Sequence, residues 1–175
     1  ALYVRTDVWK FDPDVGQPKA NDALLYSSDG GEKFSELIRA GGKLFGFALS
    51  PDADEVLIGY GDPVEGGGRV VDPDALGLYR APAGSDAFEK VLDGPVSCLT
   101  WNQHGVYTCT GQVQFGYALG FTAPDDLKAK GGPAPTPLLS LLDVKGPLSC
   151  PACSSGARCG ESWKATCEAW GRTDC

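Results

Sequence analysis

The sequence predicts an all-β fold built from repeated units, on three observations. The 24 glycines and 13 prolines exceed a fifth of the 175 residues, and breakers at that density exclude long helices but permit short strands joined by turns. Apolar segments recur at a fixed spacing along the chain. Each of these segments is short and is bounded by turn residues, as strands are.

The spacing of the repeat is 52 residues. Matching segments begin at Gly42, Gly94 and Gly146, where the chain reads GKLFGFA, GPVSCLT and GPLSCPA. An apolar patch precedes each segment, and a Leu- and Tyr-containing segment lies further upstream. The patches are residues 34–38, 88–92 and 138–142, and the upstream segments are residues 24–26, 76–79 and 117–119.

Each period supplies four predicted strands. Two of them are joined by a tight turn, as in residues 44–49 followed by 56–60, and in residues 96–101 followed by 106–109. The upstream segment and the apolar patch supply the third and fourth. Four antiparallel strands over about 40–50 residues make one blade of a β-propeller, and a β-sandwich of regular strands is the alternative.

The phase of the repeat predicts about three blades in an incomplete ring. Residues 2–6 align with the second strands at 56–60 and 106–110, whereas residues 146–150 resemble a first strand. The two ends can complement each other in one closing blade, but a closed propeller needs at least four blades. We therefore expect residues 1–149 to be the blades of a fragment or subunit, with remaining blades or another protein chain as partner.

A turn motif, S-x-D-x-G-x-x-[FW], is matched by residues 27–34, which read SSDGGEKF. This segment resembles the Asp-box of sialidase-type (BNR) propellers, a turn between the third and fourth strands of a blade. The resemblance implies a structural role for Ser27, Asp29, Gly31 and Phe34. Asp29 should accept backbone N–H bonds, the glycines should adopt positive φ, and Phe34 should pack inward. The resemblance covers roughly residues 1–150 and implies a fold, not an activity.

The sequence assigns no catalytic residue. Sialidases that resemble this repeat use three arginines and a Tyr–Glu nucleophile pair, and no local context marks such a set among Arg5, Arg39, Arg69, Arg80, Arg158 and Arg172. The single histidine, His104, lies at a predicted hairpin tip. We therefore expect a non-catalytic scaffold that binds a protein or a glycan through loops such as 61–73 and 124–137. The alternative is a portion of a sialidase-like glycoside hydrolase whose active site is completed outside this chain.

Aspartates in turn sequences raise one metal hypothesis. Asp-x-Asp pairs occur at residues 12/14, 52/54 and 72/74. Asp-Pro-Asp is ordinary turn chemistry, but Ca²⁺ also binds clustered carboxylates in loops. The best candidate site combines Asp12 and Asp14 with Asp22, and no other cofactor is expected.

The cysteine content indicates an extracytoplasmic protein, either secreted or periplasmic. The seven residues are Cys98, Cys109, Cys150, Cys153, Cys159, Cys167 and Cys175. The first two lie at similar distances from a predicted hairpin turn, so we expect a disulfide between them. The odd count leaves one thiol free or bonded to another chain. Residues 150–175 are predicted to form a disulfide-rich cap with a short helix, a zinc site being the alternative.

The charge of the chain limits its partners further. A formal charge of −8 and an isoelectric point near 4.5 disfavour nucleic acid, because phosphate binding needs clustered Lys and Arg. No apolar run reaches the length of a membrane span.

Overall fold

The computed structural model describes residues 1–14, 16–61, 71–110, 116–128 and 134–143. These residues form thirteen strands in four antiparallel sheets, which confirms the predicted all-β class. Short 3-10 helices lie at Pro73–Ala75, Asp126–Lys128 and Leu141–Asp143. The predicted cap at 150–175, with Cys150, Cys153, Cys159, Cys167 and Cys175, lies outside the described residues.

Three of the sheets follow one another along the chain. The first has the order β1-β4-β5 and contains β1 (Leu2–Arg5), β4 (Ala23–Ser27) and β5 (Ser35–Arg39). The second contains, in order, β6 (Lys43–Leu49), β7 (Glu55–Gly61), β8 (Gly77–Pro82) and β9 (Glu89–Asp93). The third contains β10 (Cys98–Asn102), β11 (Gly105–Cys109), β12 (Leu119–Thr122) and β13 (Thr136–Leu139).

The fourth sheet is a hairpin of β2 (Trp9–Asp12) and β3 (Gln17–Ala20), inserted between β1 and β4. This hairpin lies outside the strands that the sequence repeat predicts. The signal was the apolar, polar, apolar order of Trp9, Lys10 and Phe11 before the turn residues Pro13 and Asp14.

The three larger sheets share one internal register. In each, the pairing of the third and fourth strands is interrupted by a shift after a leucine of the third strand. These leucines are Leu24, Leu78 and Leu119. Their partners on the second strands are Arg5, Gly59 and Cys109. Arg5, Gly59 and Cys109 are therefore equivalent positions. The sequence repeat aligns the same three residues when it matches residues 2–6, 56–60 and 106–110.

The first sheet differs from the other two in lacking a described strand equivalent to β6 and β10. Within the described residues the sheets form no closed ring. The propeller therefore stays a prediction, whereas the repeated antiparallel sheet is observed.

Two apolar clusters lie between consecutive sheets. The first, between the first and second sheets, contains Leu24, Leu37, Leu44, Val56, Ile58, Tyr60 and Ala81. The other, between the second and third sheets, contains Leu57, Leu78, Val91, Val96, Val106 and Leu127. Alternate residues of β7 therefore face opposite neighbours, because successive side chains of a strand point to opposite faces.

The fourth strand of the third sheet does not begin where the sequence predicts. Residues 138–142 were expected to form it, but the strand spans Thr136–Leu139 and residues 141–143 form a 3-10 turn. Pro137 lies within this strand, which is at the edge of its sheet. Proline is tolerated there because an edge residue need not donate to a neighbouring strand.

Candidate functional site

The β2–β3 hairpin is the part of the described chain that departs from the repeated unit. Its turn is closed by the amide of Gly16, which donates to the carbonyl of Asp12 at 2.9 Å. The amide of Asp14 donates to the Asp12 carboxylate at 3.0 Å. Gly16 has a φ of 70°, a conformation that favours glycine. Asp12 therefore serves the turn, in agreement with the turn interpretation of the Asp-Pro-Asp sequence.

The base of the hairpin is fixed by the buried carboxylate of Asp22. It accepts hydrogen bonds from the amide of Val8 at 2.7 Å and from the amide of Leu44 at 3.1 Å. The ammonium group of Lys43 lies 3.1 Å from the same carboxylate and also pairs with Asp7. These contacts tie the inserted hairpin to the first strand of the second sheet.

The predicted Ca²⁺ site is not assembled from Asp12, Asp14 and Asp22. The carboxylate of Asp22 is fully buried and engaged by two amides and Lys43, while Asp12 is engaged in its own turn. Across the described residues, no three His, Cys, Asp or Glu side chains converge as metal ligands. Asp12 and Asp22 therefore have different roles: Asp12 bonds within its own turn, whereas Asp22 bonds to residues that are distant in sequence.

A cavity of about 470 Å³ opens beside the hairpin. It is lined by Lys10, Phe11, Asp12, Pro13, Lys19, Ala20, Asn21, Arg39, Ala40 and Gly41. Phe11 is 68 % exposed, which is unusual for so large an apolar side chain. The cavity therefore combines three cations, one carboxylate, one amide side chain and an exposed aromatic ring.

The charges of this cavity are only partly compensated within the protein. Lys10 and Lys19 are directly opposite each other in the hairpin register, a placement in which like charges destabilise a strand pair. Arg39, by contrast, is paired with Glu36 through two guanidinium nitrogens, at 3.1 and 2.5 Å. The hydrogen bonds from Arg39 lower the pKa of the Glu36 carboxyl, and those bonds in turn raise the pKa of Arg39. Lys10 contributes more weakly to the lowering of the Glu36 pKa, so its charge is less compensated than that of Arg39, and an anionic group would be stabilised mainly by the two lysines.

A second cavity, of about 330 Å³, lies beside the second sheet. Its lining residues are Glu55, Arg80, Ala81, Pro82, Ala87, Glu89, Val91 and Leu127. Arg80 forms an ion pair with Glu55 and donates to the carbonyl of Leu127 at 3.2 Å. The arginine is thus occupied in joining β8 to the third repeat.

Residues 27–34, which resemble an Asp-box in sequence, form a turn between β4 and β5, the third and fourth strands of the first sheet. The Ser27 hydroxyl donates to the Asp29 carboxylate at 2.7 Å and accepts from the Gly31 amide at 2.8 Å. The Lys33 amide donates to Asp29 at 3.1 Å. The hydrogen bond from Ser27, followed by the one from Lys33, lowers the pKa of Asp29. Gly30 and Gly31 have φ values of 83° and 101°, as expected for this turn.

The expectation that Phe34 packs inward is wrong, because its side chain is 44 % exposed. Phe34 and Leu2 both lie near Gly31, since a Cβ atom built on Gly31 would be 3.2 Å from Leu2 and 3.8 Å from Phe34. The ring therefore lies on the side of the first sheet that faces away from the second. Its burial would require a further layer on that side.

The described arginines have separate structural partners. Arg5 donates to the carbonyls of Leu44 and Phe45 at 3.2 and 2.5 Å, and Arg39 and Arg80 have the partners given above. Arg69, Arg158 and Arg172 lie outside the described residues, as do parts of the predicted contact loops. His104 is exposed in the β10–β11 turn, where its amide donates to the Asn102 side chain at 2.8 Å.

Comparison with protein-family models, curated proteins and solved structures found no match for this chain. No helix in the described part of the chain is long and apolar enough to cross a membrane.

Proposed function

We propose that this chain is a non-catalytic, ligand-binding part of an extracytoplasmic β-propeller protein, and that the cavity beside the β2–β3 hairpin binds an acidic glycan. The propeller arrangement is supported by the three sheets that share one register shift and pack through the same strand positions. Sheets of four antiparallel strands in sequence are the units of that fold.

Export is supported by the disulfide between Cys98 and Cys109. Disulfides persist in oxidising compartments and are rare in the cytosol. Five further cysteines in the sequence agree with the same compartment.

The observation that carries the ligand assignment is the placement of Lys10 directly opposite Lys19, beside the exposed ring of Phe11. Two lysines paired directly across a hairpin disfavour that pairing, and a carboxylate bound beside both side chains would relieve the repulsion. Three cationic side chains line this one cavity, although the chain as a whole has a formal charge of −8. The Phe11 ring supplies a flat apolar surface against which the apolar face of a sugar can stack.

Binding is better supported than hydrolysis at this cavity. Glycoside hydrolysis requires two carboxyl groups that flank the scissile bond, and Asp12 is the carboxylate among the described lining residues. Asp12 is moreover bonded to the amide of Asp14. The arrangement suits recognition of an anion rather than acid–base chemistry.

The test is calorimetric titration of the disulfide-bonded chain with a uronic-acid oligosaccharide and with the neutral oligosaccharide of the same length. We expect binding of the acidic sugar, weakening as salt is added. Replacement of Lys19 by Gln should reduce affinity by about tenfold or more, since a charge-assisted contact contributes roughly 1.5–3 kcal/mol. Phe11→Ala should reduce affinity for the same sugar.

Two matched variants act as controls. Lys33→Gln removes an exposed lysine and Phe34→Ala removes an exposed aromatic ring, and neither residue lines the cavity. Both should bind the acidic sugar as the unmodified chain does. Equal affinity for the neutral sugar would overturn the role of the lysines, and no binding of either sugar would overturn the proposed function.

A further inference from the structure

The three larger sheets have the same strand register, so equivalent residues can be compared wherever two consecutive sheets pack together. We call each such contact between sheets a junction. Residues Leu2 and Val4 of β1 are equivalent to Val56 and Ile58 of β7, because Arg5 and Gly59 occupy the same place opposite the shifted leucine. The aromatic residues that follow the third strands, Phe34 and Phe88, correspond in the sequence repeat. The equivalent residues of the second sheet therefore show how buried each position is when a neighbouring sheet covers it.

We call Leu2, Val4 and Phe34 the front face of the chain. Their exposed fractions are 46 %, 41 % and 44 %. The equivalent residues of the second sheet lie at the cluster between the first two sheets: Val56 and Ile58 are fully buried in it, and Phe88 packs against the cluster. The front face thus has the composition of a sheet junction, and the described residues place no sheet against it.

Among the described residues, the side of the third sheet that faces away from the second sheet is also uncovered. The register shift leaves one residue of the fourth strand unpaired in each sheet, and these residues are Leu37, Val91 and Leu138. Leu37 and Val91 are 7 % and 9 % exposed because the following sheet covers them, whereas Leu138 is 52 % exposed.

An aromatic pair accompanies this uncovered side. Tyr3 and Tyr26 of the first sheet have ring centroids 5.0 Å apart and pack on the first cluster. The equivalent pair of the third sheet is Tyr107 and Phe121, with centroids 5.2 Å apart. We call Tyr107, Phe121 and Leu138 the back face.

The front and back faces are the two halves of one junction. At the junction between the first and second sheets, Leu37 and the Tyr3–Tyr26 pair pack on the cluster that contains Val56 and Ile58. The back face carries the equivalents of the first set, and the front face carries the equivalents of the second. A contact between them would therefore repeat packing that the chain already makes internally.

We propose that the front face docks on the back face of a second copy of this chain, head to tail. The three larger sheets described in one copy cannot close a ring by themselves, since closed propellers contain about four to eight blades. Two copies supply six of the larger sheets that the structure describes, and a head-to-tail contact that closes forms a ring instead of a filament. That the ring closes with two copies depends on the proposed propeller arrangement. That the two faces match depends only on the exposed fractions of their residues and on their equivalent positions.

The first test is light scattering after size exclusion on the disulfide-bonded chain, from low to high micromolar concentration. We expect a dimer of twice the 18.3 kDa chain mass that dissociates on dilution and has a melting temperature that depends on concentration. A monomer throughout this range would overturn the docking. Open-ended larger species would overturn the closed dimer.

Two variants test which faces meet. Val4→Asp and Leu138→Asp each place a charge on one exposed residue, so each chain should fold as a cooperative monomer. Mixing the two variants leaves one intact junction, between the front face of the Leu138→Asp copy and the back face of the Val4→Asp copy. We expect the mixture to form a mixed dimer that neither variant forms alone.

The same experiment separates head-to-tail docking from other modes. If front faces paired with each other, Leu138→Asp alone would remain dimeric, which would overturn the proposal. Phe11→Asp is the matched control, because it places a charge on an exposed apolar residue outside both faces. It should dimerise as the unmodified chain does, and it should lose sugar binding only, which separates this proposal from the function proposed for the cavity.

Discussion

Cys98 and Cys109 lie directly opposite each other on β10 and β11, with their Cα atoms 4.8 Å apart and their sulfur atoms bonded. The bond confirms the pairing predicted from the hairpin spacing. We expect the double variant Cys98→Ser/Cys109→Ser to lose about 2–3 kcal/mol of unfolding free energy, as for removal of a short disulfide loop. Urea denaturation measures the loss, and a variant as stable as the parent would show that this bond adds nothing to folding.

The Ser27 hydroxyl is predicted to be the central contact of the β4–β5 turn. It is buried, donates to Asp29 and accepts from the Gly31 amide. Ser27→Ala should lower the unfolding free energy by about 1–2 kcal/mol, because the Gly31 amide loses its partner. Ser28→Ala, at an exposed neighbouring position, should leave denaturant unfolding unchanged.

Asp29 is predicted to make the stability of the same turn depend on acid. Its pKa in the folded chain is lowered from 3.8, first by the Ser27 hydroxyl. The stabilisation is therefore present above pH ~3.8 and is lost as the pH falls through the folded-state pKa. Asp29→Asn should reduce the acid dependence of the melting temperature, and an unchanged acid profile would count against the carboxylate as its source.

Removal of the Asp22 carboxylate should be severely destabilising. Asp22→Ala would leave two amides without their acceptor and would weaken the pairing of Lys43, whose side chain is 11 % exposed. Breaking a buried ion pair from one side costs about 3–5 kcal/mol. Chemical denaturation should show this loss for Asp22→Ala and not for the exposed Asp86→Ala; a small effect would mean that Asp7 alone compensates Lys43.

Tyr60 should make the chain sensitive to alkali. Burial raises its pKa well above the ordinary value of 10.0, so the folded chain retains a proton that the unfolded chain releases. Stability is then complete below pH ~10 and falls above it, by up to about 1.4 kcal/mol per pH unit for one proton. Tyr60→Phe should make this decline shallower in urea titrations at successive alkaline pH values. An identical decline would assign the effect to other buried tyrosines, such as Tyr79, whose pKa is also raised by burial.

The parts of the fold that could be predicted are those set by local sequence. Apolar segments separated by turn residues located most strands of the repeated units, and hairpin geometry was sufficient to pair Cys98 with Cys109. The fourth strand of the third unit was predicted to begin at residue 138, after the loop 124–137. It begins at Thr136 instead, because an edge strand accepts Pro137.

The parts that could not be predicted depend on contacts between distant residues. Asp22 was grouped with Asp12 because both lie near one turn in the sequence, yet it is held by Leu44 and Lys43 of the next sheet. The opposition of Lys10 and Lys19 depends on the hairpin register, which composition does not determine.

The connection between the second and third strands has a consequence for protein engineering. It spans residues 6–22 in the first unit, 62–76 in the second and 110–118 in the third, yet the register shift follows the same leucine each time. Strand pairing is thus insensitive to what this connection contains, and the entropy of closing a loop rises only slowly with its length. A foreign peptide epitope grafted between β11 and β12 would follow β11, which is disulfide-bonded to β10, without altering the residues that align the sheet.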